Sequence, residues 1–190
     1  MNIQTIAEHS VDLDLIPEKA NILDIGARGV AFSKYFQSLG HNVLTVDADD
    51  IEGITHPRLA ISDRAGMARL YKSRDPQATR INEDFGLWDE FESVECVTLL
   101  EFSLANDILM WDLIKIDVEG SELAIITSLH EPPAKQLSIE FHLHTKVYGG
   151  AEVVMMENKL LSLGYFPAKH DMTEQHGMGR NYWDSLWILK

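Results

Sequence analysis

The chain has 190 residues, enough for one domain with its own core, and its formal charge of −14 at pH 7 excludes the broad basic surface that nucleic-acid binding requires. A lone Cys96 excludes a disulfide framework and a cysteine zinc site. No apolar run reaches transmembrane length, and Met1 to His9 lacks the basic start and apolar stretch of a signal peptide, so a cytoplasmic protein without membrane or nucleic-acid partners is expected.

Strand-like and helix-like segments alternate. Asn21–Gly26 reads as a short strand ending in a turn. Phe32, Tyr35, Phe36 and Leu39 then recur at helical spacing, and Gly40 closes that helix. His41–Asp47 is a second strand and Arg58–Asp63 a third, followed by a short strand, Ala68–Lys72, of a local hairpin with Ala65 and Gly66 at its turn. Ser73–Glu90 is polar and irregular, and Glu95–Leu100 is again extended. Asp112–Val118 is a buried strand whose helix, through Leu123, Ile126 and Leu129, stops at Pro132 and Pro133. Leu137–His144 alternates cleanly, and Val153, Met156, Leu160 and Leu163 mark a last helix ended by Gly164. Two final strands, Tyr165–Ala168 and Trp183–Leu189, flank a glycine-bearing turn within Met172–Asn181. Trp88, Trp111, Trp183 and Trp187 read as packing residues rather than a stacking platform. The alternation implies an α/β domain over residues 1–190, with 1–20 as an N-terminal extension, a parallel sheet covered on both faces and an antiparallel hairpin at one edge.

Chemistry concentrates at the strand ends. Lys115-Ile-Asp117-Val-Glu119-Gly120 places two carboxylates and a glycine where open α/β sheets bind ligands. Asp24-Ile-Gly26-Ala27-Arg28-Gly29 offers a turn that a ligand can approach closely, and Asp47, one βα unit on, stands where an acidic side chain accepts hydrogen bonds from ribose hydroxyls. Asp63, ending the third strand, is a candidate for the exocyclic amine of adenine. The loop lacks the Gly-x-Gly-x-x-Gly of a dinucleotide site, which disfavours a nicotinamide-dependent oxidoreductase and suits S-adenosylmethionine, a ligand without phosphate. Asp24 would then help to hold its amino-acid end.

With these segments the chain resembles the FkbM-type family of S-adenosylmethionine-dependent methyltransferases. The likeness rests on Ile22-Leu-Asp-Ile-Gly-Ala27, Val46-Asp47, Val97-Thr-Leu-Leu100, Leu113-Ile-Lys-Ile-Asp-Val-Glu-Gly-Ser-Glu-Leu123 and Leu137-Ser-Ile-Glu-Phe-His142, and runs from Asn21 onward. It implies a Rossmann-like, seven-stranded, mostly parallel sheet and methyl transfer, commonly to a hydroxyl of a sugar or natural product. The family's loop continues Gly-Ala-Asn-x-Gly; here Arg28 stands at the Asn position and Val30 at the last Gly, with Gly29 one place early.

A hydroxyl acceptor needs a base for its proton, and Asp117 and His142 are the candidates, with Glu119 either orienting substrate or holding Lys115 or a helix N-terminus. Glu140, His142 and His144 share one face of their strand, so Glu140 is placed to fix the tautomer of His142. A metal on His142 and His144 is the weaker reading, and none is assigned. Cofactor contacts are expected from Asp24, Gly26, Ala27, Gly29, Asp47 and Asp63. No insertion has the length of a lid domain, so the expected acceptor, a small molecule or glycan, meets an open pocket or one completed by a second copy in a homo-oligomer. A binding module that holds the nucleoside without turnover is the non-enzymatic alternative.

Overall fold

A computed structural model describes residues 1–71, 80–81, 91–143, 150–170 and 181–190. The expected irregular stretch Ser73–Glu90, apart from a two-residue strand at Arg80–Ile81, lies outside the described residues, as do the turn after Met172, Trp88 and His144. An N-terminal hairpin, β1 (Ile3–Ile6) and β2 (His9–Asp12), precedes β3 (Asn21–Ile25), α1 (Ala31–Ser38) and β4 (Asn42–Asp47). There follow β5 (His56–Pro57), β6 (Leu59–Ser62), β7 (Gly66–Tyr71), β8 (Arg80–Ile81), β9 (Phe91–Thr98) and α2 (Leu99–Ala105). The remainder is β10 (Trp111–Ile116), α3 (Glu122–Ser128), β11 (Ala134–Leu143), α4 (Gly150–Ser162), β12 (Tyr165–His170) and β13 (Asn181–Leu189).

The large sheet has the order β12-β13-β11-β10-β3-β4-β5. It is mixed. Parallel pairing runs from β5 through β4, β3 and β10 to β11, whereas β13 lies antiparallel between β11 and β12. This corrects the expected mostly parallel sheet with an edge hairpin, because β13 pairs with β11 from Gln136↔Ile188 to Leu143↔Asn181 and is interior to the sheet. A second, four-stranded sheet, β6-β9-β7-β8, takes up the strand expected third in the main sheet. Leu59–Ser62 pairs parallel with Leu59↔Glu95 to Ser62↔Thr98, and β7 runs antiparallel to β9. Alternation along a strand sets which side chains share a face; it does not name the pairing partner.

Side-chain alternation divides the core in two. Leu23, Ile25, Ile114, Ile116, Ile139 and Phe141 face α2, α3 and α4, through Phe102, Ile125, Met156 and Leu160. Ile22, Val43 and Leu113 face the opposite way, against Phe32 and Phe36 of α1 and Ile6 and Val11 of the N-terminal hairpin. Leu39, expected on the α1 face, is exposed because the helix has already ended at Ser38. The N-terminal segment is a packed element rather than an appendage. Asp12 N–H donates to Gln136 Oε1 (3.1 Å), Gln136 Nε2 donates to the Asp12 carbonyl (3.2 Å), and Ser10 N–H donates to Asp184 Oδ2 (2.9 Å). Helix α2 begins where β9 ends because Thr98 and Glu101 form a reciprocal capping box.

Candidate active site

Parallel β3, β4, β10 and β11 bring their carboxyl ends to one edge, and a cleft of about 670 Å³ opens there. The turn after β3 forms its floor. Gly26 has φ +79°, and a Cβ on it would stand 1.7 Å from the Asp117 carbonyl oxygen, so only glycine lets the chain turn beneath the end of β10. Gly26 N–H donates to Val46 O (2.9 Å), and Asp117 N–H donates to Ile25 O (3.1 Å), tying three strand ends together. Val30, where the resembled family carries glycine, adopts φ +44° at the start of α1. A β-branched side chain in this left-handed conformation is strained. The glycine of the family pattern thus has a backbone reason that valine does not meet.

Lys115 lies under the turn, 4 % exposed, in register with Asp24 on β3. Its Nζ donates to the Gly26 carbonyl (2.7 Å) and forms ion pairs with Asp24 Oδ1 (3.1 Å) and Asp117 Oδ2 (3.3 Å). The Asp24 contact is an ion pair outside hydrogen-bond alignment, and the other Asp24 oxygen accepts from Ser33 Oγ. Burial alone would lower the Lys115 pKa; the two carboxylates outweigh it and hold the ammonium group protonated. Burial opposes ionisation of Asp117 in turn, and Lys115, His9 and His142 outweigh it, keeping its carboxyl far below the usual range.

Beyond Asp117 the chain turns through Glu119 (φ +53°) and Gly120 (φ +110°) into α3. Glu122, fully buried, organises this turn: its Oε1 accepts from Val118 N–H (3.3 Å) and Gly120 N–H (3.1 Å) and lies 2.9 Å from His142 Nδ1. The other ring nitrogen, His142 Nε2, is 3.0 Å from Glu140 Oε2, 3.6 Å from Glu119 Oε2 and 3.9 Å from Asp117 Oδ1. Burial would lower the His142 pKa, but Glu122, Glu140 and Glu119 raise it well above 6.5. The carboxylates around it thus favour the charged form of the ring over the neutral form that a base requires. Glu119 is pushed up to about 7, chiefly by burial, with its acidic neighbours adding to the shift and His142 opposing it.

At the other end of the cleft Asp47 is half-buried at the tip of β4, and one of its oxygens accepts from Asp49 N–H (2.8 Å). Burial pushes its carboxyl up to about 6. Asp24, Gly26, Ala27, Gly29, Asp47, Asp117, Glu119 and His142 therefore line one cleft, joined by Glu140. Asp63 does not. It is exposed beyond β6, because that strand belongs to the second sheet, whose Leu59, Ala60, Ile61 and Leu70 give the cleft an apolar wall instead. Sequence reading missed His9, Glu122 and Tyr182. His9 and its hairpin turn, Ala7 and Glu8, overhang the cleft, and only the tertiary docking of the hairpin brings them there. Glu122 did leave a signal, a carboxylate in the first turn of a helix two residues after Gly120.

A nucleoside carrying an amino-acid end fits this donor set: a closely approachable backbone turn, a half-buried carboxylate one strand over, and an apolar wall beside it. Among the described residues no helix is long and apolar enough to cross a membrane. A solved structure of precorrin-6Y C5,15-methyltransferase from Geobacter metallireducens GS-15 is similar over 92 % of this chain and 83 % of its own, at 13 % identity and a TM-score of 0.40, too distant to bear on the site. No curated protein matches. The family model described as the methyltransferase FkbM domain matches residues 8–167, a span that holds every cleft residue named above except Ala7 and Tyr182. With most of its length matched, the chain belongs to the FkbM methyltransferase domain family.

Proposed function

We propose that this methyltransferase moves the methyl group of S-adenosylmethionine to a hydroxyl of a sugar, glycan or small hydroxylated molecule. The observation that carries this reading is the order of strand ends along one cleft. Asp47 ends β4, the Gly26 turn follows β3, Asp117 follows β10 in contact with that turn, and Glu140 and His142 lie on β11 beyond it. Asp47 would accept hydrogen bonds from the ribose hydroxyls, and the backbone of Gly26, Ala27 and Gly29 would line the path of the amino-acid end. Asp24 is buried against Ser33 and Lys115, so its role is to hold Lys115, and through it Gly26 and Asp117, in place. Leu59, Ile61 and Leu70 give the adenine an apolar face.

S-adenosylmethionine, when bound, supplies a methyl group on a sulfonium. What the chain must supply is alignment of the acceptor oxygen and a destination for its proton. Asp117 and Glu119 are the carboxylates placed for both tasks, and His142, as an imidazolium, is placed to orient them. An acceptor of glycan size suits a cleft that, among the described residues, is overhung by a short hairpin turn.

Calorimetric titration with S-adenosylmethionine and with NAD, followed by a screen of hydroxylated acceptors with isotopically labelled donor, tests the reading. Binding of the methyl donor alone and label recovered as a methyl ether are expected. NAD binding in its place, or label transferred only to amines, would overturn it.

A further inference from the structure

Where β10 and β11 end, the cleft gathers two carboxylates and an imidazole. We propose that Asp117, Glu140 and His142 bind a divalent cation, Mn²⁺ being the best match, which holds the acceptor hydroxyl; the second clause rests on the methyl-transfer reading, and the first does not. Among the described residues, one donor atom from each of these three side chains lies within 4.8 Å of the others. Donors around one ion stand about 2.0–2.2 Å from it, so small rotations of two carboxylates close that spread.

Two features distinguish the cluster from ordinary surface acidity. First, the histidine is already oriented. Its Nδ1 is fixed by Glu122, which is itself anchored by two backbone N–H groups, so Nε2 faces the oxygens of Asp117, Glu119 and Glu140. A ligating imidazole held from behind by a buried carboxylate is the arrangement metal sites use to set tautomer and basicity. Second, His9 is 4 % exposed, with its Nδ1 3.7 Å from Asp184 Oδ1 and its Nε2 3.6 Å from Asp117 Oδ2. The Nε2 of this buried imidazole is a second nitrogen beside the same carboxylate. Asp117 is divided accordingly. Its Oδ2 is engaged by Lys115 at 3.3 Å, and its Oδ1 is turned toward His142.

One imidazole with two or three carboxylate oxygens suits Mn²⁺, which accepts both donor types and leaves positions open for a hydroxyl. Binding exchanges the Nε2 proton of His142 for the ion, and Nδ1–H stays with Glu122. The ion then polarises the acceptor oxygen. That oxygen loses its proton to Glu119 and forms the new C–O bond as the sulfonium C–S bond breaks, so the sulfur leaves as a neutral thioether and no atom changes oxidation state at the metal.

The test uses the whole chain, freed of metal with a chelator. Mn²⁺ is titrated while the resonance of free Mn²⁺ is followed, with and without S-adenosylmethionine. One bound equivalent is expected. Glu140→Gln and His142→Gln should each weaken it at least tenfold, whereas Glu157→Gln, whose carboxylate pairs with His170 away from the cleft, should not change it. Glu140→Gln retains shape and a polar contact to His142, so it decides the matter if the histidine variant does not fold. Absence of binding at millimolar Mn²⁺ in protein that binds the methyl donor would overturn the metal site and leave methyl transfer standing. Equal binding by Glu140→Gln would assign the ion elsewhere and overturn it too. Mn²⁺ binding that disappears with Glu140→Gln, in protein that ignores S-adenosylmethionine, would keep the site and remove the proposed donor.

Discussion

Gly26→Ala is the sharpest probe of how the cleft is built. Two costs arise. Alanine at φ +79° pays the left-handed penalty, about 1–2 kcal/mol. Its Cβ would also stand 1.7 Å from the Asp117 carbonyl oxygen, half the 3.4 Å of ordinary contact, so β3 and β10 must separate at their ends. That separation strains three hydrogen bonds: Gly26 N–H to Val46, Asp117 N–H to Ile25, and Lys115 Nζ to the Gly26 carbonyl. At about 0.5–1.5 kcal/mol each, they bring the expected loss to about 3–6 kcal/mol. Gly40→Ala is the matched control, since Gly40 has φ +86° with nothing within 4 Å of its would-be Cβ. It should lose only the conformational part, about 1–2 kcal/mol. Denaturant unfolding gives both values, and titration with S-adenosylmethionine should show affinity lost in the first variant and kept in the second. Equal destabilisation of the two, with cofactor affinity intact in Gly26→Ala, would refute the close approach of turn and strand as the basis of the site.

Other consequences follow from the same geometry. Lys115→Met should destabilise the protein by about 3–5 kcal/mol, because Asp24 and Asp117 are left buried without their cation; a loss under 1 kcal/mol by denaturant unfolding would contradict that pairing. Val30→Gly should stabilise by about 1 kcal/mol, since relief of the strain at φ +44° exceeds the entropic cost of glycine, and a fall in melting temperature would show that the valine side chain packs to more effect than its backbone suffers. Asp47, with its carboxyl pushed up to about 6, should hold the ribose in its ionised form only. Affinity for S-adenosylmethionine is then full above pH 6 and falls about tenfold per unit below it, a slope that Asp47→Asn should abolish.

The parts of the site that were legible in the sequence are those whose chemistry is local to a strand end. A glycine directly after an apolar run, an aspartate one βα unit later, and two carboxylates before Gly120 each announce themselves within a few residues. The structure gathers them into one cleft because parallel strands must present the same ends on the same edge. What was not legible depends on pairing between distant segments. Arg58–Asp63 has the pattern of a main-sheet strand, but its partner is β9, so Asp63 faces solvent rather than the cleft. Ile3–Asp12 is too short to carry a long-range signal, and its place is set by buried polar contacts to Gln136 and Asp184 that no periodicity encodes. The start of α2 was hidden in an apolar run, although Thr98 and Glu101 spell a capping box three residues apart.

The density of buried charge at this strand end argues for function over stability. Lys115, Asp24, Asp117, Glu122 and His142 could be exchanged together for well-packed apolar residues of similar volume with little loss, or with gain, if folding were the only demand, although removing any one alone leaves its partners buried and unpaired. Instead two charged anchors oppose each other across the edge. Lys115 fixes the glycine turn and one oxygen of Asp117 from below. Glu122 fixes the turn after Val118 and one nitrogen of His142 from the helix side. What the two anchors leave facing the cleft is specific: the second oxygen of Asp117, the second nitrogen of His142, and the carboxyls of Glu119 and Glu140. Those are the atoms from which an acceptor hydroxyl, or an ion that holds it, takes its orientation. Because each anchor is itself held by backbone groups, the group it positions cannot shift without breaking the strand-end turn, which is how a site keeps the sub-ångström alignment that an in-line displacement demands.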